Sequence, residues 1–465
     1  MKRPLQIGFL PFYVDYYESL SPDFGPGKRE EIRRCRAMLT AYGQVVGPDG
    51  PICDVEMARA AGRELRESGV DCIVALCVIA VFAEISDAAL EGLDQPLLLW
   101  HCQDIATVDA GYSMVEIVRN TGQIGVQALA NVLARRGRPF RALCASRHSA
   151  ATADGLTAFF TLTSAALAVR GIRVLQIGEI FPGMADVLIS EDHRRALGIN
   201  VRSHHAGALT RVYLDAPQSE VDAELDFMKS AWTLDEITDD ELERSARLWV
   251  GIRSIVNRES PDCVTINSHG LNCLRNPEIG LTATYAISRL NASGIPCSEV
   301  GDIPTVLAMA AARALSGDAL YTEVQVLDEE RNAIVLANSG ESAESLCRAG
   351  APIRLAGNSN FRGLHGRGAS FAYPLADGPV TVASLSPVGE SGFHLIVMEG
   401  EILPEPLPDT GAITGFFRPS HLPLHQAYRA WVEAGAVHHA ATASGHLAAS
   451  FQNLAGLLRW QITTI

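Results

Sequence analysis

Several features that define other protein classes are absent from this sequence. No apolar run reaches the roughly 18 residues that a membrane-spanning helix needs. The short basic and apolar start is soon followed by Asp15 and Glu18, which favours a first strand over a signal peptide. The ten cysteines include no Cys-x-x-Cys pair, which indicates buried, reduced thiols in a cytoplasmic protein. Positive charge is in deficit, and the net charge of −15 disfavours nucleic acid or an anionic membrane as the main partner.

Familiar catalytic motifs are missing as well. The sequence has no Gly-x-x-x-x-Gly-Lys-Ser/Thr loop, no His-Glu-x-x-His and no Gly-x-Ser-x-Gly elbow. It also has no internal repeat and no low-complexity tract. With 465 residues the chain is too long for one ordinary core and suits two or three domains. Any catalytic site must therefore be assembled from polar residues that lie far apart in the sequence.

The alternation of apolar runs and helical stretches predicts three domains. Residues 1–145 and 146–317 each alternate strands and helices, which predicts two doubly wound, flavodoxin-like α/β domains with parallel sheets. Residues 318–465 carry successive strands separated by prolines and glycines, which predicts an antiparallel, β-barrel-like C-terminal domain. We expect strands at 6–12, 72–77, 97–100, 140–144, 172–177, 263–267, 321–327, 333–337, 380–385 and 394–398, and helices at 28–42, 54–68, 117–136, 153–170, 220–229, 234–256, 303–315, 425–433 and 446–458.

Two carboxylates and one histidine are candidate ligands for a single divalent metal. Glu299 precedes a predicted helix capped by Asp302, at the kind of strand-to-helix edge where ligands gather in α/β sheets. Glu323 lies inside a predicted strand, and His439 lies beside His438 in a predicted turn between the last two helices. Taken singly, each is more simply a loop carboxylate, a solvated strand residue or a surface histidine. If the three converge, they could bind one metal and leave positions open for a polyol.

Other polar residues follow predicted strands and are candidates for binding a small sugar. His269 and Asn272 follow the strand at 263–267, and Asn338 follows the strand at 333–337. Trp100 and Gln103 lie at the end of the strand at 97–100. Each of these segments could equally be an ordinary turn.

The order of these residues resembles the L-fucose isomerase and L-arabinose isomerase superfamily of metal-dependent aldose–ketose isomerases. The resemblance is clearest from about residue 262 to the end. It rests on Glu299 and Glu323, on the Asn-Ser-Gly that ends the strand at 333–337, and on the late segment around His439 and His446. Position 323 is Glu, as in arabinose isomerases, but the extra metal-binding histidine of those enzymes has no counterpart here. The chain is short for a fucose isomerase, so the sugar does not carry over.

The resemblance implies a site and an assembly. Its metal ligands would be Glu299, Glu323 and His439, with Mn²⁺ as the usual ion and Mg²⁺ or Co²⁺ as alternatives. A homotrimer or homohexamer is implied, in which the first domain of a neighbouring subunit completes the site and Trp100 and Gln103 are candidate contributors.

The implied reaction is the interconversion of an aldose and a ketose through a cis-enediol. Glu299 would take the proton from carbon and Glu323 would handle the oxygen proton or the return step, although the two roles could be exchanged. Two other hypotheses remain open at this stage. The scaffold could act as a lyase or epimerase on a modified or acidic sugar, or it could be a non-catalytic sugar-binding protein.

Overall fold

The computed structural model describes residues 3–270, 272–358, 368–406 and 409–465. The chain divides into a first unit, Met1–Ser164, and a second unit, Ala165–Ile465. Each unit has its own buried apolar core. Among the described helices, none has both the length and the apolar character needed to cross a membrane.

A parallel sheet of five strands forms the centre of the first unit. Its strands are β1 (Leu5–Phe12), β2 (Gly43–Val46), β3 (Cys72–Cys77), β4 (Leu97–Gln103) and β5 (Arg141–Ser146), and its helices are α1 (Phe24–Leu39), α2 (Val55–Ser68), α3 (Ala83–Ala88), α4 (Met114–Arg119) and α5 (Gly122–Arg135); the division between the units falls within α6 (Ala150–Leu167). The strand order is β2-β1-β3-β4-β5, and every pairing is parallel. Strand β3 is buried along its whole length, as expected for a strand covered on both faces.

The second unit begins with another parallel sheet. This part contains β6 (Arg173–Ile177), α7 (Glu191–Leu197), β7 (Asn200–His204), α8 (Ala206–Leu214), α9 (Gln218–Ala231), β8 (Thr233–Asp235), α10 (Asp239–Glu259), β9 (Cys263–Ile266), α11 (Thr284–Ala292), β10 (Cys297–Glu299) and α12 (Ile303–Ser316). Four of these strands pair in the order β10-β9-β6-β7, all parallel. Strands β9 and β10 therefore end at the same edge of the sheet, and the residues that follow them are neighbours.

The rest of the second unit is built around a closed β-barrel. It contains β11 (Leu320–Asp328), β12 (Ala333–Ala337), β13 (Arg354–Gly357), β14 (Ala369–Ala372), β15 (Gly378–Val388), β16 (Gly392–Ile402), β17 (Thr414–Pro419), α13 (Leu424–Glu433), β18 (His439–Ser444), α14 (Ala448–Leu458) and β19 (Gln461–Thr464). Antiparallel pairings connect β15, β18, β11, β12, β17 and β16, and β16 pairs again with β15 to close the ring. Strand β19 adds to β16 in parallel, and β14, β13 and β8 form a separate small sheet.

The structure confirms the mixed α/β class, the parallel sheets and the antiparallel C-terminal barrel. The flavodoxin-like character of the α/β domains and the division at residues 145 and 317 stay predictions. The single helix predicted at 234–256 is wrong at its start. Residues 233–235 form β8, and α10 begins after Thr238, whose hydroxyl accepts a hydrogen bond from the Glu241 amide in a capping box.

Candidate active site

Glu323 and His439 lie opposite each other on two neighbouring strands of the barrel. They are register partners in the antiparallel pair β11–β18, so their side chains project from the same face. The distance from His439 Nε2 to Glu323 Oε1 is 3.9 Å. The prediction that His439 lies in a turn is therefore wrong, since His439 is the first residue of β18. Its alanine-rich strand lacks the large apolar residues that usually mark a strand in a sequence.

Asp302 fixes the orientation of the His439 ring. His439 Nδ1 lies 2.8 Å from Asp302 Oδ2, and both side chains are buried. With the carboxylate as acceptor, the ring donates from Nδ1, and Nε2 is the ring nitrogen on the side of Glu323. The other oxygen of Asp302 accepts the Thr305 amide at 2.8 Å and caps α12. The Asp302 carboxylate thus both caps α12 and orients the His439 imidazole.

The adjacent histidine is hydrogen-bonded to a different carboxylate. His438 Nδ1 is hydrogen-bonded to Asp186 Oδ2, and both side chains are substantially exposed. Burial raises the pKa of Asp186, but the hydrogen bonds from His438 outweigh it and leave the pKa lower than usual. The two imidazoles, whose ring centroids lie 3.7 Å apart, are therefore held by different carboxylates, and only that of His439 is buried.

Glu299 ends β10 and is held by two side chains that follow β9. Its Oε2 lies 3.1 Å from His269 Nε2, and its Oε1 accepts a hydrogen bond from Ser268 Oγ. Burial lowers the pKa of His269, but the hydrogen bond and the charge of Glu299 raise it by more. The net effect is a raised pKa for the His269 imidazole beside a buried carboxylate.

The turn after Glu299 has a left-handed backbone. Val300 has φ of 55°, which is costly for a β-branched residue, and Gly301 has φ of 83°. A Cβ at Gly301 would lie 2.9 Å from Ile180 Cα, so the turn also has no room for a side chain there. The turn leads to Asp302 and the start of α12, where the helix dipole favours nearby negative charge.

Glu341 is a buried carboxylate of this region that sequence analysis did not single out. It follows the turn after β12, is fully buried, and accepts the Ser339 amide through Oε2 at 3.0 Å. Within the described parts of the chain, Oε1 has no hydrogen-bond partner. Burial raises the pKa of Glu341 to about 8, and the charges of Glu299 and Glu323 add to the rise. The signal in the sequence was its place just after Asn-Ser-Gly at a strand end.

Tyr321 lies among the carboxylates of this region. Burial raises the pKa of its phenol well above the usual value, and four carboxylates contribute further, namely Asp302, Glu323, Glu299 and Glu341. Its ring centroid lies 4.8 Å from that of His439. Of these acids, Glu299, Asp302 and Glu341 are buried, and Glu323 on β11 is partly exposed.

The predicted metal ligands do not form a finished metal site. In the described ranges, no group of three His, Cys, Asp or Glu side chains is arranged to hold a metal ion. Glu323 and His439 face each other, whereas the carboxylate of Glu299 is turned to Ser268 and His269. The ligand roles of all three residues stay predictions.

The predicted sugar-binding residues have diverse surroundings. His269 contacts Glu299, and the Asn272 amide donates to the His269 carbonyl at 3.3 Å. Asn338 is buried, and its side chain bonds the backbone of Tyr321, Gly340 and Glu341, so it builds the turn that carries Glu341.

Trp100 and Gln103 belong to the first unit. Trp100 is fully buried in β4, and Gln103 at the end of that strand donates from Nε2 to the Ile105 carbonyl at 2.9 Å. Their contribution to sugar binding stays a prediction.

Comparison with known families adds one finding. Residues 321–461 match the family model of the L-arabinose isomerase C-terminal domain. This match supports the arabinose/fucose isomerase-like family. It covers less than a third of the chain, includes Glu323, Glu341 and His439, and does not reach Glu299. A search of curated protein sequences finds no match.

Proposed function

We propose that this protein is a metal-dependent aldose–ketose isomerase that acts on a small sugar through a cis-enediol. The main support is that the segment similar to the L-arabinose isomerase C-terminal domain contains Glu323 and His439, which face each other on adjacent barrel strands. Glu299, at the end of a neighbouring parallel sheet in the same unit, supplies a second carboxylate to the buried acidic region.

The chemistry of the donor atoms fits a divalent cation. His439 offers the lone pair of Nε2 because Asp302 holds its Nδ1–H, which is the usual support of a metal-binding imidazole. Carboxylate oxygens with one imidazole and no thiolate suit Mn²⁺ or Mg²⁺, with Co²⁺ as a further alternative. Glu299, Glu323 and His439 would hold the ion. When bound, the ion would polarise the sugar carbonyl and the neighbouring hydroxyl as a Lewis acid.

The carboxylates of the chain would move the protons. We assign Glu299 as the base that takes the proton from one carbon and returns it to the next. Ser268 and His269 hold its two oxygens, which keeps the carboxylate in one orientation. Glu323 would accept and return the proton of the sugar hydroxyl. Gln325 Nε2 donates a hydrogen bond to Glu323 Oε2 at 2.7 Å. General acid–base steps of this kind typically contribute about 10²–10⁴-fold to a rate.

An assay in D₂O tests this function. The protein with Mn²⁺ is incubated with a panel of aldoses, deoxy sugars, sulfo sugars and sugar phosphates, and the products are followed by NMR. An isomerase conserves the carbon skeleton, forms the ketose and exchanges a carbon-bound proton for deuterium. Inactivation by EDTA and recovery with Mn²⁺ are expected. Carbon–carbon cleavage or loss of water would indicate a lyase, inversion at one carbon an epimerase, and binding without turnover a sugar-binding protein.

We also propose a homotrimer or homohexamer in which a neighbouring subunit completes the site, with Gln103 as the contributing side chain because Trp100 is fully buried in its own unit. Light scattering coupled to size-exclusion chromatography measures the mass of the assembly. A dilute monomer with full activity would contradict this proposal.

A further inference from the structure

We propose that His438, held in place by Asp186, is a specificity-determining residue that hydrogen-bonds a hydroxyl of the sugar substrate. This inference rests on the proposed function, because it assigns a further residue to the substrate of the same site. Its basis is the loop at 178–188, which follows β6 and connects the segment around Glu299 with the start of β18.

One end of the loop at 178–188 contacts the segment around Glu299. The Phe181 amide donates a hydrogen bond to the Val300 carbonyl at 3.1 Å. The Phe181 ring meets the His269 ring edge to face, with the two centroids 5.2 Å apart. Because His269 Nε2 lies 3.1 Å from Glu299 Oε2, this end of the loop lies beside the carboxylate that we assign as the carbon base.

The other end of the loop holds His438. Asp186 Oδ2 is hydrogen-bonded to His438 Nδ1, and it also accepts the His438 amide at 3.3 Å. The centroid of the His438 ring lies 3.7 Å from that of His439, whose Nε2 is 3.9 Å from Glu323 Oε1. The loop therefore reaches from Glu299 to the pair of Glu323 and His439, and His438 lies next to that pair.

His438 and Asp186 are open to solvent, whereas His439 is buried. The side chains of His438 and Asp186 are 44% and 45% exposed, and that of His439 is 2% exposed. His438 is thus the imidazole of the two that a dissolved sugar can contact directly. An exposed pair of this kind contributes little to folding stability, so a purely structural role would not account for its place beside the site.

Asp186 leaves one nitrogen of the His438 ring for the substrate. Burial alone would raise the pKa of Asp186, but the hydrogen bonds from His438 lower it overall, so the carboxylate is ionised and accepts from Nδ1. Nε2 is then the ring nitrogen that a ligand can bond. A hydroxyl both donates and accepts hydrogen bonds, so it can bond Nε2 in either protonation state of the ring. A site built to bond a hydroxyl rejects an analogue that lacks it, which gives His438 a role in choosing the sugar.

Steady-state kinetics of His438→Ala test the inference. With Mn²⁺ and the best sugar of the panel, we expect a KM about two- to tenfold higher than that of the wild type, with nearly unchanged kcat. The reason is that a hydrogen bond to a hydroxyl that does not react contributes equally to binding the sugar and its transition state. With the deoxy analogue that lacks the contacted hydroxyl, His438→Ala and the wild type should have equal kcat/KM.

Variants of Asp186 test how His438 is held. Asp186→Ala should also raise KM, because the His438 ring loses the acceptor that orients it. Asp186→Asn should restore KM to near the wild-type value, because the amide oxygen still accepts from Nδ1. The matched control is His425→Ala, at an exposed histidine of α13 that lies beside Glu329, and its kinetics should equal those of the wild type.

Mn²⁺ affinity separates a contact with the sugar from an effect that passes through His439. Isothermal titration calorimetry should give the same Mn²⁺ affinity for His438→Ala and the wild type. Weaker Mn²⁺ binding together with a lower kcat would show that His438 acts through His439 and would overturn the inference. If the wild type converts a sugar and His438→Ala matches it in KM and in discrimination against every deoxy analogue, only this inference fails. If the wild type converts no sugar of the panel, the proposed function fails, and this inference fails with it.

Discussion

Asp302 offers the sharpest test of how the site is held together. Its two oxygens have separate partners, the Thr305 amide at the start of α12 and His439 Nδ1. In Asp302→Asn, the amide oxygen can still cap the helix, because Asn is as good an N-cap as Asp. The amide NH₂ then faces His439 Nδ1, and two donors cannot bond each other. His439 is expected to move its proton to Nε2, which removes the lone pair that a metal needs.

The expected magnitudes differ for metal binding and for stability. Loss of such a supporting contact typically weakens metal binding about 10–100-fold, or about 1.4–2.8 kcal/mol. Unfolding free energy should fall by only about 1 kcal/mol, because the cap remains and a neutral hydrogen bond replaces a charge-assisted one. Calorimetric titration with Mn²⁺ measures the affinity, and urea denaturation measures the stability.

Thr238→Ala is the matched control for Asp302→Asn. It removes the cap of α10 in the same unit and should cost about 1 kcal/mol of stability without changing Mn²⁺ affinity. The reasoning would be refuted if Asp302→Asn bound Mn²⁺ within threefold of the wild type. It would equally be refuted if the control weakened binding as much as Asp302→Asn does.

Three further predictions address the carboxylates, the strained turn and a buried histidine. Glu299→Gln and Glu323→Gln should each lower turnover by about 10²–10⁴-fold. Their unfolding free energies should stay within about 1 kcal/mol of the wild type. Near-normal turnover in either variant would contradict the catalytic assignment. Gly301→Ala should destabilise the protein by about 1–3 kcal/mol more than Gly317→Ala in urea denaturation, because both positions have positive φ but only Gly301 is crowded. Burial and the charge of Lys28 lower the pKa of His101 in β4 to about 4. As the pH falls, the unfolded chain therefore takes up a proton at His101 before the folded protein does. The free energy of unfolding should therefore fall by up to about 3 kcal/mol as the pH drops from 6.5 to about 4, and the contribution of His101 should level off below that pH. The His101→Gln variant should lack this contribution to the acid destabilisation. If its denaturation has the same pH profile as that of the wild type, the prediction is wrong.

The elements that the sequence predicted well are those with strong local signals. The helix at 303–315 matches α12, because Asp302 caps its start and Pro304 occupies its first turn. The buried strand at 72–77 matches β3 without error, because six consecutive apolar or small residues leave little alternative. In both cases the local pattern and the tertiary environment demand the same structure.

The parts of the candidate site that were missed depend on contacts between residues far apart in the chain. The contact between Asp302 and His439 spans 137 residues, and no local pattern shows that the cap residue also holds an imidazole. Glu341 was not singled out, because its burial depends on the turn after β12, which the Asn338 side chain ties to the Tyr321 carbonyl of β11. The pairing of β15 with β18, in which Val380 faces Ser444, likewise depends on residues far apart in the chain.

The most direct test of the central claim is hydrogen exchange at carbon. The wild type and Glu323→Gln, each with Mn²⁺, are incubated with the best sugar of the panel in D₂O, and deuterium in the aldose and ketose is measured by NMR. We predict that the wild type forms the ketose with deuterium on one of the two reacting carbons, and that Glu323→Gln shows at least about a hundredfold slower conversion. Equal conversion by both proteins, or no interconversion of any aldose and ketose by the wild type, would contradict the account.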